Sequence, residues 1–159
     1  LLDFLLAFPA LLISMAIVAY MKPSAGTLVV ALALGMFPPL TRLLSSRTQE
    51  LFTEPFVEAS IGLGAARLHL VRAHFLPHYL PLIGLKAPGM VASALVAEAS
   101  LTFLGIGLPK GNESWGSLLL AAKDYMVEAP HLMAFAGIPL VTTIALLQAL
   151  GESRRRANR

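Results

Sequence analysis

From His131 to Leu150 the chain runs twenty residues without one Asp, Glu, Lys or Arg, and arginines follow at 154, 155 and 156. About twenty apolar residues are what an α-helix needs to cross the hydrocarbon core of a bilayer. This stretch is therefore read as a membrane-spanning helix, and it is not alone. The chain is 57% hydrophobic and 13% charged, with a mean hydropathy of +0.74. Soluble domains are nearer a quarter charged. An integral membrane protein follows, with a core built partly against lipid.

Three further spans can be drawn. The first covers about residues 1–21, with Pro9 as an expected kink, and Lys22 to Gly26 make a turn. The second covers about 27–44, with Pro38 and Pro39 near its far end. The third covers about 81–108 and is interrupted by Pro88 and Gly89. With 131–150, this is an all-α membrane domain of about four spans. Proline and glycine are tolerated inside spans where neighbouring helices satisfy the freed backbone groups.

The pI of 9.6 invites a nucleic-acid reading. The basic residues form no binding face, however, and topology accounts for them better, so no nucleic acid is expected as a partner. Arg42, Arg47, Arg67, Arg72, Lys86, Arg154, Arg155, Arg156 and Arg159 fall on one side of the drawn spans. Lys22, Lys110 and Lys123 fall on the other. Lysine and arginine mark the cytoplasmic side. The 45–80 loop and the basic 151–159 tail are therefore expected in the cytoplasm, and the 109–130 loop outside. With four spans the N-terminus is cytoplasmic too. The chain opens Leu1-Leu2-Asp3, without Met or a basic leader, so it is not read as a signal peptide but as a fragment of a longer protein. The absence of cysteine excludes a disulfide or a thiolate metal site within it.

The cytoplasmic loop carries the most specific pattern. Thr53 is expected to cap a short helix, with Glu54 and Pro55 in its first turn. That helix holds Glu58, Ala59 and Ser60, and Gly62 and Gly64 can end it. A second short helix begins near Ala65, with Leu68, Val71 and Phe75 on one face, and Leu76-Pro77 closes it. By these residues alone, the loop could equally be an amphipathic connector resting on lipid headgroups.

The spacing resembles the EAA motif of binding-protein-dependent ABC importer permeases. That motif is Glu-Ala-Ala, three residues, Gly, nine residues, Ile, one residue, Leu-Pro. Glu58, Ala59, Gly64, Leu76 and Pro77 match in register, while Ser60 replaces an alanine and His74 an isoleucine. Leu5 to Pro9, Ala97 to Gly107 and Ser114-Trp115-Gly116 are similar to the dipeptide, oligopeptide and nickel branch, C-type subunit. Lys110 to Glu113 replace a usually proline-rich turn, and the tail lacks the usual Asp-Pro-Arg ending.

The resemblance implies part of a type I ABC importer transmembrane domain, with about two further spans before Leu1. It implies a bacterial or archaeal inner membrane. It also implies docking to ATP-binding cassette ATPase subunits through Glu58, Ala59, Ser60, Gly64, Leu76 and Pro77. A second homologous permease and an extracytoplasmic substrate-binding protein are the other implied partners, besides membrane lipid. The solute would be a peptide, nickel or a related compound, and the subunit would itself be non-catalytic.

The remaining chemistry is sparse. No phosphate-cradling Gly-Lys-Ser/Thr loop is present, and no Ser/His/Asp set stands at the spacing of a nucleophile motif. No cofactor is expected. His69, His74 and His78 lack a further ligand for a metal, and Pro77 interrupts them. Glu98 is the one acid deep in a span. Its insertion costs about 2.5–3.5 kcal/mol, which the apolar residues of the span roughly offset. It either lines the translocation path, or fixes helix packing through Ser93, Ser100 or Thr102. Because it stands in a block similar across the branch whatever the solute, packing is expected. Trp115 suits the outer interface, Ser117 to Met126 could form a surface helix, and the small residues of 94–99 suit close helix packing. Two other classes compete. One is a four-span ion-coupled transporter with Glu98 as its proton site, and the other is a non-transporting scaffold or receptor. The ion-coupled transporter would have no use for a structured cytoplasmic helix-turn-helix.

Overall fold

The computed structural model describes residues 9–109 and 111–157, and every regular element among them is helical. Helix α1 is Ala10–Tyr20 and α2 is Ala25–Phe52. The short α3 is Pro55–Gly62, and α4 runs without a break from Arg67 to Phe103. Helix α5 is Trp115–Lys123 and α6 is His131–Ala157. Helices α2, α4 and α6 are each long and apolar enough to cross a membrane. Of the first expected span, residues 1–8 lie outside the described residues. Pro9, expected as a kink, stands at the N-cap of α1.

A tight turn sets α1 against α2. Ser24 caps α2 by accepting the Thr27 N–H at 3.0 Å. The two helices run antiparallel with small residues between them. The Ser14 hydroxyl donates to the Ala31 carbonyl at 3.0 Å across the pair. A Cβ on Gly35 would come within 3.2 Å of the Ala10 carbonyl oxygen, so the close approach needs glycine there. Val18, Leu28 and Ala31 then bury against Leu101, near the end of α4. Helices α5 and α6 pack along the other side of α4.

Two cavities relate cations of the three long helices. Lys86 of α4 lines one cavity with Leu43, next to Arg42 of α2, and a second with Arg155 of α6. Beyond Arg42 and Lys86, α2 continues for about 15 Å and α4 for about 28 Å. The helices thus overshoot the charge boundary and carry α3 at their tip.

Several sequence expectations change here. Leu76-Pro77 does not close a helix, because α4 passes through Pro77, Pro81 and Pro88. A π-helical turn over Leu70–Phe75 precedes Pro77, with the Leu76 N–H bonded to the Val71 carbonyl. The wider turn leaves room for the proline ring, which would otherwise press on the preceding turn. It also changes the buried face. Leu70 and Phe75, five apart, are buried together, while Leu68 and Val71 are 59% and 46% exposed. Thr53 does not cap α3. Its hydroxyl donates to the Glu50 carbonyl, and Glu54 holds the N-cap position without a side-chain bond.

Candidate functional site

An eight-residue helix is too short to persist alone in water, so α3 must be held by its surroundings. Val57 holds it. This side chain is fully buried with Leu51 of α2 and Leu70 and Phe75 of α4. Burying side chains of this size is worth about 1.5–3 kcal/mol each. Phe52 meets Phe75 edge-on at 5.2 Å, and the Thr48 and Tyr79 hydroxyls share a 2.5 Å hydrogen bond between α2 and α4. Phe56 lies against the rings of His74 and His78, at 5.4 and 5.7 Å. Both partner helices are thereby fastened to each other and to α3.

The opposite face of α3 is open. Glu58 and Ala59 are exposed, as are Gly64, Leu76 and Pro77. Ile61 and Leu63 are 46% and 89% exposed. Gly64 has φ of +78°. Its N–H bonds the Ile61 carbonyl, and the Ala65 N–H bonds the Ser60 carbonyl. This is a Schellman closure, whose left-handed residue is best filled by glycine. The two positions that depart from the EAA pattern meet each other, because Ser60 Oγ lies 3.3 Å from His74 Nε2. His78 Nδ1 donates to the His74 carbonyl at 2.6 Å.

A second constellation gathers at the other end of α4. Glu98 Oε1 accepts from the Thr102 hydroxyl and from the Ser114 hydroxyl, each at 2.8 Å. Thr102 Oγ1 in turn accepts the Leu108 N–H at 3.1 Å. Ser114 is the N-cap of α5, in a reciprocal capping box with Ser117. The Glu98 carboxylate therefore sits at the positive end of that helix, which favours an anion. Ser100 does not join this network, nor does Ser93. Each donates back to its own helix, to the Val96 and Gly89 carbonyls.

Glycines make the approach possible. A Cβ on Gly116 would stand 2.8 Å from Thr102 Cβ and 2.9 Å from Ala99 Cα, and one on Gly107 would stand 2.6 Å from Thr102 Cα. Gly105, with φ of +81°, closes α4 in a second Schellman turn, bonding Thr102 O while Ile106 N–H reaches Leu101 O. The stretches Ala97 to Gly107 and Ser114 to Gly116, separate in sequence, are thus one unit. Sequence reading missed Ser114, Gly105, Gly107 and Gly116 as members of it. The readable signals were a serine three residues before another serine at a helix start, and Gly-x-Gly directly after an apolar helix.

The model of the family described as binding-protein-dependent transport system inner membrane component matches residues 1–156. Among relatives, a protein of Brucella suis biovar 1 named for a peptide transport system permease is 33% identical over 153 residues, or 96% of this chain and 52% of the relative. One of Sinorhizobium fredii, named for a peptide ABC transporter permease, is 31% identical over 96% of this chain and 53% of the relative. A glutathione transport system permease protein of Escherichia coli O6:K15:H31 is 30% identical over 98% of this chain and 51% of the relative. The chain spans about half the length of these relatives. Matched by this model over residues 1–156, and with three helices long and apolar enough to cross a membrane among the described residues, the chain belongs to the family of binding-protein-dependent transport system inner membrane components, the permease domain of type I ABC importers.

Proposed function

We propose that the chain is part of a permease subunit of an ATP-driven importer, and that α3 with the Gly64 turn docks a partner ATPase. The observation that carries this reading is the split character of α3. Val57 is locked into a buried cluster between α2 and α4, while Glu58, Ala59 and Ile61 face outward beyond the charge boundary. Force applied to the exposed face would pass into two long helices without loss in a soft loop. Leu76 and Pro77, exposed beside α3, extend the docking surface. Ser60 works from within, holding His74. The lysines and arginines favour a cytoplasmic placement of this tip and of the C-terminus. ATP hydrolysis belongs to the partner, and a second permease subunit would complete the translocation path. The names of the relatives favour a peptide as solute, with glutathione as one instance.

Glu98 is assigned to packing. Its bonded oxygen already accepts two hydroxyls, which tie α4 to the start of α5. Reconstitution of the full-length permease pair with binding protein in vesicles tests the whole reading. Peptide uptake should require both ATP and the ATPase subunits. Uptake driven by a proton gradient without them would overturn it.

A further inference from the structure

A groove of about 320 Å³ opens between α4 and α6, lined by Lys86, Gly89, Gln148, Gly151, Glu152 and Arg155 among others. Glycines shape it. A Cβ on Gly151 would touch Pro88, at 3.7 Å, so the helices approach closely there, and Gly89 leaves its own side of the groove open. Just beyond, the Arg154 guanidinium donates to the Gly84 carbonyl at 3.4 Å, fastening α6 to α4. Two cations therefore face one carboxylate, Glu152, inside the groove, with a third cation at its rim. Its depth is also defined. Gly151 lies twenty residues along α6 from His131, which is about 30 Å, the thickness of the hydrocarbon core. A span that enters the hydrocarbon at His131 would leave it near this groove, where the headgroups begin.

We propose that this groove binds the phosphate headgroup of an anionic phospholipid, with Lys86 and Arg155 as its ligands and Gln148 as a neutral hydrogen-bonding neighbour. Basic pockets between spans on the cytoplasmic side suit such headgroups, and that leaflet carries the anionic lipid. The site rests on the cytoplasmic placement of the C-terminus proposed above. Glu152 limits the affinity by offering the cations an internal partner.

The test uses the full-length permease in its assembled complex, in nanodiscs of phosphatidylcholine with a minority of phosphatidylglycerol. Bound lipid is counted by native mass spectrometry. The wild type should retain phosphatidylglycerol in preference to phosphatidylcholine. The double variant K86Q/R155Q should lose about thirtyfold of that preference. K123Q, at the opposite end of the spans, should lose none. E152Q removes the carboxylate of the groove and should raise the preference roughly fivefold, a gain that misfolding cannot mimic. No preference in the wild type would overturn the site. So would an unchanged double variant, an equal loss in K123Q, or no gain in E152Q. Labelling of T48C in intact cells by an impermeant thiol reagent would instead sink the orientation, and with it the docking account, whatever the lipid counts.

Discussion

Gly64 and Gly105 both follow the end of a helix in the left-handed conformation, at φ of +78° and +81°, and both close a Schellman turn. What lies around them differs. Around Gly105 the chain folds inward, with Thr102 1% exposed, Gly107 and Gly116 pressed on it, and hydroxyls aimed at one carboxylate oxygen. Around Gly64 the neighbours face out, with Leu63 89% and Ile61 46% exposed and Glu58 and Ala59 exposed as well. One region satisfies its groups internally. The other leaves its motif residues facing outward on a braced helix. A recognisable motif can therefore mark a joint that holds the spans or a surface kept for a partner, and exposure tells the two apart.

The largest effect should come from filling the inward region. Gly116→Ala places a methyl against Thr102 and the Ala99 backbone, and overpacking of this kind costs about 1–3 kcal/mol. The full-length variant should melt several degrees lower and accumulate less in the membrane. Gly62→Ala at the tip meets nothing within 4 Å and should leave the melting temperature unchanged. Equal shifts for the two would erase the contrast.

Gly64→Val should come next. A β-branched residue at positive φ costs about 1–3 kcal/mol locally. Membrane abundance should hold while ATP-driven uptake fails, because only the tip is distorted. Uptake at the wild-type rate would show that the turn does not transmit force.

Glu58→Arg changes an exposed side chain on the outward face of α3. Co-purification of the ATPase should weaken with no change in thermal stability. A loss of stability instead would make α3 a structural element.

Glu98→Gln should have the smallest effect. The amide oxygen can still accept from Thr102 and Ser114, and the cost of burying a charge is removed. Uptake should persist, with a melting temperature within a few degrees of wild type. A folded, assembled and inactive variant would move Glu98 from packing to the path.

The sequence made the three long apolar helices, the short helix at Glu58 and the role of Gly64 as its stop readable, because each rests on local chemistry. Apolar length, a proline in a first turn and a glycine needing positive φ act within a few residues. The π-helical turn at Leu70–Phe75 was not readable. A period of 3.6 pointed to Leu68, Val71 and Phe75, whereas the Leu76 N–H bond to the Val71 carbonyl widens the turn and buries Leu70 with Phe75 instead. Pro77 suggested a helix end, Pro81 the start of a span and Pro88 an interruption within it, yet α4 runs through all three. Glu98 was visible as a costly acid. Its partner Ser114 was not, since sixteen residues and a loop separate them and only the fold brings them together.

Docking through the tip is tested most directly by cross-linking. This chain contains no cysteine, so a single one can be introduced within it without interference. In the full-length permease, cleared of cysteines elsewhere, A59C and N112C would each be treated with a short bifunctional thiol-to-amine reagent in membranes holding the assembled complex. A59C should join the ATPase subunit, identified by mass spectrometry of the product, and N112C should leave it untouched. An ATPase adduct at position 112, or none at position 59 in a complex that still hydrolyses ATP, would contradict docking through the tip.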